Sequence, residues 1–486
     1  MHGDGVHIGG RRSAGLGGVH ELINPANDEP TGTIQHAGPE DVIRACESAT
    51  AAQRLWGETT PAQRFDALQR WADAIAADAT TLVGLEVEDT GKPRAVFADG
   101  ELPFAVDNLR FFAAAARSLD GSAGGVLSSG YLSILLRRPL GVVAGITPWN
   151  FPLIMSIWKA GPALAAGNAI VLKPAPATPR STLRLADLAI EAGLPPGLVN
   201  VVTGDATTGL ALVTNPQIAM VSVTGSTQTG QAVMRAAAPA TTRLHLELGG
   251  KAPAVVFEDA DISALARAVT LGATYNSGQD CTAATRVYVQ ASIYDATVEA
   301  LRVAMASVRI GDPFATETDI GPLISRAHRD RVHQHVRRAV DEGASLIHGG
   351  SIPEGRGAYY PPTLLIGARQ DSAIVQDEVF GPVLVVLPFH TEDEAVTLAN
   401  DCRYALASSV WTTDVGRALR IAPRIIAGVT WINDHLPIAS EAPHGGTKSS
   451  GFGKDMGHES VLEYSMTQHV MVRTSPPVEH DSFRPA

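Results

Sequence analysis

Five apolar runs decide the fold of this chain: GVVAGI (141–146), AIVLK (169–173), VNVV (199–202), AMVSV (219–223) and LHLEL (244–248). Helical stretches separate each run from the next. Strands that alternate with helices in this way build right-handed βαβ units, which form a parallel sheet with helices on both faces. The sequence therefore predicts an α/β fold with a doubly wound parallel sheet. Ligands bind such sheets at the carboxyl ends of their strands.

A second alternating series follows the first and predicts another α/β domain. It begins at AVVF (254–257), continues through RVYV (286–289) and ends near Val429–Asn433, so the boundary falls near residues 249–251. Ahead of both series, apolar residues recur at helical spacing from Pro39 to Ala116 and predict a helical layer.

Length, composition and charge limit the class of protein to which the chain can belong. The 486 residues suit two or three domains, and 45% hydrophobic with 18% charged residues is typical of a globular chain. The net charge of −12 disfavours nucleic acid or an anionic membrane as a partner. No apolar run reaches the ~18 residues of a transmembrane helix. We therefore expect a small-molecule partner, and no metal site is predicted.

Both ends of the chain lack the features of an ordered element. Residues 1–20 contain Gly, His and Arg but no apolar core of a secretory signal, so they predict a flexible tail. Residues 477–486 predict a second one. The absence of a signal, together with cysteines that share no paired spacing, favours the cytoplasm.

Only one of the three cysteines has a context suited to chemistry. Cys46 lies on an apolar helical stripe, which favours a packing role. Cys402 follows Asn400-Asp401 at a helix end and has a weak claim. Cys281, in GQDCT (278–282), is away from any apolar stripe and is the candidate nucleophile. An inert loop thiol is the alternative.

Two polar side chains at predicted strand ends could serve such a nucleophile. Glu247 lies between two leucines in LHLEL, and a desolvated carboxyl group has the raised pKa that suits proton abstraction. A salt-bridged strand end is an equally good interpretation. Asn150, in PWNFP (148–152), could donate to an oxyanion, although Asn in a Pro-rich turn is commonly only a turn former.

Neither standard phosphate-binding motif is present. No G-x-G-x-x-G lies between a strand and a helix, and Gly225–Gly230 has P-loop glycine spacing but continues with Gln231. The segment TGST (224–227) does join a strand to a helix, where free N–H groups could hold one phosphate. Lys173, at the end of AIVLK, could bind a ribose or phosphate or be a solvated strand end.

Seven motifs occur in this order: PWNFP (148–152), LKPA (172–175), TGSTQTG (224–230), ELGGK (247–251), GQDC (278–281), EVFGPV (378–383) and SGFGKDMG (450–457). Their order and spacing resemble the aldehyde dehydrogenase superfamily over residues 20–475. Within it, GQDCTAATR (278–286) and APHGGTKSSGFGKDMG (442–457) are most similar to the γ-aminobutyraldehyde dehydrogenases, which oxidise aminoaldehydes.

The resemblance implies a three-part architecture. Residues 21–129 and 140–249 would form an NAD(P)-binding domain, and residues 250–440 a catalytic domain. Residues 130–139 and 466–476 would form a small β element that joins subunits, so the resemblance implies a homodimer or homotetramer.

The resemblance also implies catalytic roles. Cys281 would attack the aldehyde, with its own backbone N–H and the Asn150 amide holding the oxyanion. Glu247 would activate the water that hydrolyses the resulting thioester. Lys159 and Asp455 match a Lys and a Glu that relay protons, and Asp455 is one methylene shorter than that Glu.

For the cofactor, the resemblance assigns Lys173 to the adenosine ribose. It assigns the remaining positions to the pyrophosphate, the nicotinamide ribose and the nicotinamide ring: Trp149, Gly225, Ser226, Glu378 and Phe380. Pro176 replaces a family Glu that accepts hydrogen bonds from the adenine ribose. NAD is expected, with NADP as a possible substitute because Pro176 carries no charge to repel a 2′-phosphate.

For the substrate, the implied tunnel contains four aromatic side chains that could attract a cationic amine: Trp149, Phe151, Trp158 and Tyr275. Ordinary core packing is the alternative for each ring. Asp107 or Glu101 could pair with an ammonium group, unless these carboxylates are simply solvated.

Other functions remain open. Betaine aldehyde and succinic semialdehyde are alternative substrates, although the carboxylate of the latter would need an arginine that the sequence does not place. A cysteine hydrolase would use Cys281 without needing EVFGPV or TGSTQTG. An inactive scaffold would have lost Cys281, Glu247 or Asn150, and all three are present.

Overall fold

The computed structural model describes residues 3–119 and 124–476, and it confirms the predicted α/β class. Through residue 249 the strands are β1 Val6–Ile8, β2 Arg11–Ser13, β3 Val19–Asn24, β4 Glu29–Gln35, β5 Gly125–Ser128, β6 Tyr131–Pro139, β7 Val142–Ile146, β8 Ala169–Lys173, β9 Val199–Val202, β10 Ile218–Thr224 and β11 Arg243–Glu247. The helices are α1 Pro39–Trp56, α2 Pro61–Ala77, α3 Ala79–Thr90, α4 Leu102–Ala116, α5 Pro152–Ala165, α6 Arg180–Glu191, α7 Ala206–Val213 and α8 Thr227–Ala237.

The remaining elements follow residue 249. The strands are β12 Ala252–Val256, β13 Ala284–Gln290, β14 Ser345–His348, β15 Thr363–Ile366, β16 Val383–Phe389, β17 Tyr404–Ala405, β18 Ala407–Trp411, β19 Val429–Ile432, β20 Thr447–Lys448, β21 Gly451–Phe452 and β22 Ser465–Arg473. The helices are α9 Ile262–Thr274, α10 Tyr294–Ala306, α11 Arg326–Asp341, α12 Ala373–Gln376, α13 Glu392–Asn400, α14 Val415–Ile421 and α15 Gly457–Glu463.

The first sheet has the strand order β2-β1-β9-β8-β7-β10-β11-β21. Strands β7, β8 and β9 are buried at every position, because helices cover both faces of a parallel sheet. The chain runs outward from β7 through β8 and β9, and then crosses to β10 on the other side of β7. This reversal between β7 and β10 opens a crevice beyond their carboxyl ends, which is where a doubly wound sheet binds ligands.

The second sheet has the order β14-β15-β16-β13-β12-β18-β19, and all its pairings except β14 with β15 are parallel. Only residues 248–251 connect β11 of the first sheet to β12 of the second. The carboxyl end of one sheet therefore leads directly to the amino end of the other.

The predicted strand at residues 131–139 forms as β6, in a small antiparallel sheet of order β22-β6-β5. It pairs with β22 along its whole length, from Tyr131 opposite Arg473 to Pro139 opposite Ser465. Between Pro39 and Ala116 the predicted helical layer forms as α1–α4, whose apolar faces join the core of the first sheet. Within the described ranges, no helix is long and apolar enough to cross a bilayer.

The prediction of a flexible tail over residues 1–20 is wrong for residues 3–20. Strand β1 pairs antiparallel with β9 at the edge of the first sheet, β2 pairs with β1, and Val6 and His7 are buried. The segment is too short and polar to show a strand pattern alone. Its order comes from backbone pairing with β9, in which Val6 lies opposite Val202 and His7 opposite Val201. The other predicted tail, 477–486, lies outside the described residues.

Candidate active site

One cavity of about 1060 Å³ lies where the two sheets meet. Residues just after β7 and β10 line one side of it, and residues just before β13 and β16 line the other. The cavity brings together most of the residues predicted from the sequence: Trp149, Asn150, Phe151, Trp158, Gly225, Ser226, Tyr275, Cys281, Glu378, Phe380 and Glu101. Glu247, Lys159, Asp455, Lys173 and Asp107 do not line it.

The loop before Cys281 has an unusual backbone. Asn276, Ser277 and Gly278 have φ of 48°, 58° and 71°, three successive residues in the left-handed region. A Cβ at Gly278 would lie 2.3 Å from the Gly381 carbonyl carbon, so this position requires glycine. Strain of this kind persists only where the surroundings enforce it. The loop therefore holds Cys281 in a fixed position at the cavity wall.

Asn150 is tied to the same loop. Its Nδ2 donates to the Gln279 carbonyl oxygen at 2.9 Å, and its own carbonyl oxygen accepts from Asn276 Nδ2 at 2.9 Å. The Asn150 amide carries a second N–H and lines the cavity beside Cys281. These contacts tie an amide donor to the loop that carries the thiol, in the same cavity, where an oxyanion-binding group is needed.

Cys281 is free and half-buried. Burial, reinforced by the Asp280 and Glu378 carboxylates, raises the pKa of its thiol well above the usual value. The thiol is therefore protonated at neutral pH and needs a base to become a nucleophile. The other two cysteines are buried, and burial also raises the pKa of Cys46 to about 12, in agreement with its predicted packing role.

Glu247, the predicted base, is the last residue of β11 and is 3% exposed. Both carboxyl oxygens are buried without a hydrogen-bond partner, and Oε1 lies 2.3 Å from where a Gly445 Cβ would be. Burial first, and then the Asp455 carboxylate, raises the pKa of Glu247 well above normal. The carboxyl group lies behind the cavity wall, so reaching a water beside Cys281 requires a rotation of its side chain.

The predicted proton-relay pair is formed. Lys159 Nζ lies 2.6 Å from Asp455 Oδ2, and both side chains are fully buried. The shorter side chain of Asp455 thus still reaches the lysine. Burial opposes ionisation of this carboxyl group, but Lys159 and His245 outweigh it and hold the pKa of Asp455 well below normal.

At the end of the cavity where the resemblance predicts the cofactor, two side chains face the space. Ser226 caps α8, its Oγ accepting from Thr229 N at 3.1 Å. Glu378 Oε1 accepts from Gly250 N at 2.8 Å, and burial raises the pKa of Glu378 to about 7. A Cβ on Gly249 would lie 2.2 Å from Glu378 Oε2, so the glycine pair is what lets this carboxylate approach the backbone.

His328 was not predicted from the sequence. Its Nε2 donates to the Phe380 carbonyl oxygen at 2.7 Å, and its Nδ1 accepts from Arg331 at 3.2 Å, which fixes a neutral tautomer. Burial lowers the pKa of His328 to about 4. Phe380 has a φ of 58°, and Trp149 lies edge-on to its ring at 5.3 Å. The histidine thus stabilises a strained aromatic residue at the cavity wall, and no local motif marks it.

Lys173 lies at the end of β8 but not on the cavity. Its Nζ donates to the carbonyl oxygens of Pro174 at 3.0 Å and Gly204 at 2.7 Å. Burial lowers the pKa of Lys173 to about 8. The alternative of a solvated strand end is therefore wrong, because the amine is buried and held by the backbone.

The opposite end of the cavity is aromatic and acidic. The rings of Phe151 and Tyr275 stack with centroids 6.3 Å apart, and Tyr275 Oη donates to Glu101 Oε1 at 3.5 Å. Lys92 is fully buried and pairs with Glu101, and its Nζ also lies 4.5 Å from the Phe151 centroid. Burial raises the pKa of Glu101 to about 7, with Lys92 opposing.

Asp107 does not belong to this end of the cavity, so its predicted pairing with a substrate is wrong. The side chain is exposed on α4 and accepts a hydrogen bond from Ser440. Asn108, its neighbour, faces inward instead and accepts from Trp158 Nε1. Adjacent helical residues point about 100° apart, so Asn108 is buried and Asp107 exposed, and neither lines the cavity.

The chain is similar to known proteins over most of its length. Residues 13–470 match the model of the aldehyde dehydrogenase family. A betaine aldehyde dehydrogenase of Cereibacter sphaeroides is 40% identical over 455 residues, which cover 94% of each chain. These matches agree with the resemblance carried by the seven motifs.

Solved structures agree as well. Betaine aldehyde dehydrogenase from Staphylococcus aureus, in complex with NAD+, aligns with a TM-score of 0.96 at 34% identity, covering 100% of this chain and 98% of that one. A point mutant of an aldehyde dehydrogenase from Bacillus cereus aligns with a TM-score of 0.95 at 37% identity, covering 98% and 97%.

Proposed function

This chain belongs to the aldehyde dehydrogenase family, and from that premise we propose that it oxidises an aldehyde with a cationic nitrogen to the carboxylic acid, using NAD. One observation carries the proposal: a single cavity joins the Cys281 thiol to a cofactor end at Ser226 and Glu378 and to an aromatic, acidic end at Tyr275 and Glu101.

The residues at the cofactor end fit a dinucleotide. Ser226 caps an eleven-residue helix that points its amino end at the cavity, and this end suits a diphosphate. Glu378 would accept hydrogen bonds from the nicotinamide ribose, and Trp149 and Phe380 would contact the dinucleotide. Lys173 would bind the adenosine ribose at the end of β8. NAD bound here supplies the hydride acceptor.

Covalent bond formation comes first in the proposed mechanism. Glu247 takes the thiol proton of Cys281, and the thiolate attacks the aldehyde carbon to form a C–S bond. The carbonyl oxygen becomes an oxyanion that accepts hydrogen bonds from Asn150 Nδ2 and the Cys281 backbone N–H. Loss of hydride from this carbon leaves a thioester on Cys281.

Hydrolysis completes the proposed cycle. The raised pKa of Glu247 makes its carboxylate a stronger base toward water than an exposed carboxylate. The water oxygen attacks the thioester carbon, the C–S bond breaks and the acid is released, while Cys281 recovers a proton. Lys159 and Asp455 would take the proton from Glu247 after each half of the cycle, so that its carboxylate is free again before it removes a proton from water.

A cationic nitrogen fits the far end of the cavity. Trp158 and Tyr275 offer aromatic faces, and such faces attract ammonium groups by about 0.5–2 kcal/mol. Glu101 adds a carboxylate. Lys92 pairs with Glu101 and its Nζ also lies 4.0 Å from Glu86, so two carboxyl groups share one lysine there. We propose γ-aminobutyraldehyde as the substrate.

Betaine aldehyde is the second candidate, because the Cereibacter and Staphylococcus relatives carry that name. A carboxylated aldehyde such as succinic semialdehyde is served less well. Within the described chain, the arginine that lines the cavity is Arg331, which contacts His328 beside Phe380 at the cofactor end.

A steady-state screen tests the proposal. Reduced-nicotinamide absorbance follows turnover of γ-aminobutyraldehyde, betaine aldehyde, succinic semialdehyde and uncharged butyraldehyde with NAD and with NADP. We expect a cationic aldehyde to exceed butyraldehyde about tenfold in kcat/KM, which corresponds to ~1.4 kcal/mol of cation–π and charge attraction. Equal values for all four, or no turnover of any, would overturn it.

Two variants locate the preference within the cavity. Glu101→Gln should reduce kcat/KM for the cationic aldehyde and leave butyraldehyde unchanged. Asp107→Asn changes an exposed carboxylate on α4 that does not line the cavity. It is the matched control and should leave kcat/KM unchanged for both aldehydes. NADP turnover as fast as NAD turnover would show that Pro176, which carries no charge, tolerates a 2′-phosphate.

We propose that the protein is a homodimer or homotetramer in a reducing compartment such as the cytoplasm. The small sheet of β5, β6 and β22 exposes apolar side chains that a second copy could cover: Leu132, Leu136, Met466, Met471 and Val472. Light scattering of the purified protein measures the assembly. A reducing compartment would keep the Cys281 thiol available.

A further inference from the structure

A buried row of titratable groups continues beyond the Lys159–Asp455 pair. Asp455 Oδ1 lies 3.2 Å from His245 Nε2, and His245 Nδ1 lies 3.0 Å from Glu463 Oε2. His245 is fully buried, whereas the Glu463 side chain is 35% exposed. The row therefore runs from the interior, next to Glu247, out to solvent. Glu247 does not line the cavity, and the charges of Asp455 and Lys159 both act on its carboxyl group.

The register of β11 explains why these groups share one side of the sheet. His245 and Glu247 are two residues apart on a strand, so their side chains project from the same face. Lys159, on α5, packs against that face: a Cβ at Gly145 of β7 would lie 3.1 Å from its Cβ. The thioester base and the imidazole are thus served by one lysine–aspartate pair.

Two glycines leave room for the row. A Cβ at Gly445 would lie 2.3 Å from Glu247 Oε1. A Cβ at Gly453 would lie 2.9 Å from His245 Nδ1 and 3.0 Å from Glu463 Oε2. Both glycines have positive φ, 149° and 101°. The backbone therefore covers both ends of the row at a distance that no other residue type would allow.

The row is costly to keep buried. Both His245 nitrogens, Asp455 Oδ1 and both Glu247 carboxyl oxygens are buried without an aligned hydrogen bond. An unsatisfied buried polar atom destabilises the folded state. The N···O distances of 3.2 and 3.0 Å are nevertheless short enough for a small rotation of the imidazole to align them. A proton can pass along each contact when such a rotation aligns it.

Charge around His245 comes from several elements. Burial would lower the pKa of His245, but Asp455 and then Glu463 outweigh burial and raise it, against opposition from Lys159. Tyr464 contacts the imidazole with ring centroids 5.8 Å apart and donates from Oη to Ser222 Oγ at 2.7 Å. The imidazole thus lies between two carboxylates, where it can be protonated and deprotonated in turn.

We propose that His245 and Glu463 carry protons from the buried Lys159–Asp455 pair to solvent, so that Glu247 discharges by a path separate from the cavity. The inference rests on the proposed oxidation. It assigns His245 and Glu463 as positioning and relay residues that never touch the substrate.

The proton balance requires such an exit. An aldehyde and water give a carboxylate, a hydride equivalent for the cofactor and two protons, and Glu247 takes a proton in each half of the cycle. Lys159 passes a proton to Asp455 and takes one from Glu247. His245 accepts a proton at Nε2 as it releases one from Nδ1 to Glu463, which gives it to water. This transfer leaves the imidazole proton on Nε2, so a flip of the ring must restore the Nδ1–H form before the next proton passes. Lys159, Asp455 and Glu463 end as they began.

Proton release in weak buffer tests the proposal. The variants Glu463→Gln and His245→Asn interrupt the row, and stopped-flow mixing with a pH-indicator dye follows proton release alongside steady-state turnover. We expect both rates to fall about tenfold, less than the full loss of a general base. A small diffusible buffer such as imidazole should restore them, because it replaces the missing carrier.

The matched control is Glu459→Gln, which removes the same charge from an exposed position on the same helix. It should behave as the wild type. Wild-type rates for both row variants in weak buffer would overturn the proposal, and so would a loss that imidazole does not restore. If His245→Asn does not fold, Glu463→Gln at the partly exposed end carries the test. Failure of the proposed oxidation would show first, as absent wild-type turnover.

Discussion

The two sheets of this protein meet the cavity with opposite ends. The first contributes residues that follow its strands, Trp149 and Asn150 after β7 and Ser226 after β10. The second contributes residues that precede its strands, Cys281 before β13 and Glu378 before β16. The rule that ligands bind at the carboxyl ends of parallel strands therefore holds for one sheet and is reversed in the other.

The difference separates two ways of building a site. At a carboxyl end, strand and helix geometry alone place a helix amino end and its free N–H groups, as at Ser226. At an amino end no such dipole is available. The second sheet instead uses strained loops, with positive φ at Asn276, Ser277 and Phe380. Binding of the cofactor diphosphate should thus depend on the first sheet, whereas bond chemistry and the nicotinamide ribose should depend on the loops of the second.

Replacement of the nucleophile should separate the two sides most sharply. Cys281→Ala removes the only atom that can form the C–S bond, so kcat should fall by ~10⁴-fold or more. NAD affinity, measured by calorimetry, should stay within about threefold, because the first sheet is untouched. Cys402→Ala, at a buried cysteine outside the cavity, is the control and should retain turnover. Full turnover by Cys281→Ala would contradict the assignment of the bond chemistry to this loop of the second sheet.

Asn150 follows a strand of the first sheet and is hydrogen-bonded to the Cys281 loop of the second. Asn150→Ala removes the oxyanion donor and its contact with the Gln279 carbonyl oxygen, so kcat should fall about 10²–10³-fold. The KM for NAD should change little. Steady-state kinetics with both substrates measures this, and an effect confined to the KM for NAD would place Asn150 on the cofactor side instead.

Glu378 gives a pH test. Burial raises its pKa to about 7, so the carboxylate is mainly ionised at pH 8 and mainly protonated at pH 6. Only the ionised form accepts two ribose hydroxyls fully, so the wild-type KM for NAD should rise as the pH falls through about 7. Glu378→Gln should have a KM about tenfold higher and independent of pH over that range, since it loses ~1.5 kcal/mol of charge-assisted bonding. A pH-dependent KM in this variant would contradict the assignment.

Ser226 should have the smallest effect. Ser226→Ala removes the cap of α8 and costs about 1 kcal/mol of stability, so Tm should fall by a few degrees for a domain of this size. The KM for NAD should rise a few-fold with kcat unchanged. Thermal unfolding and initial rates measure both, and a fall in kcat with a constant KM would show that this helix serves the chemistry rather than the cofactor.

Local patterns predicted much of this molecule. Apolar runs and helical stripes gave the two sheets and the helices α1–α4, because burial sets a period that a single segment reveals. The seven motifs identified Cys281, Asn150 and Glu378, which do lie together in the cavity.

What could not be predicted depends on distant parts of the chain. Strand β1 is ordered by β9, and His328 acts through the carbonyl of Phe380, 52 residues away. The role proposed for His245 depends on its contact with Glu463, and none of the seven motifs contains Glu463. Asp107 and Asn108 are adjacent in sequence, and only tertiary packing decides which one faces inward.

Mass spectrometry of a trapped thioester tests the central claim most directly, namely that Cys281 holds the substrate between the two sheets. The variant Glu247→Gln should form the thioester but hydrolyse it slowly. After mixing with NAD and an aldehyde that the wild type oxidises, acid-quenched protein should carry one acyl group on the peptide containing Cys281, and none without NAD. An adduct on Cys46 or Cys402, or no adduct at all, would contradict the account.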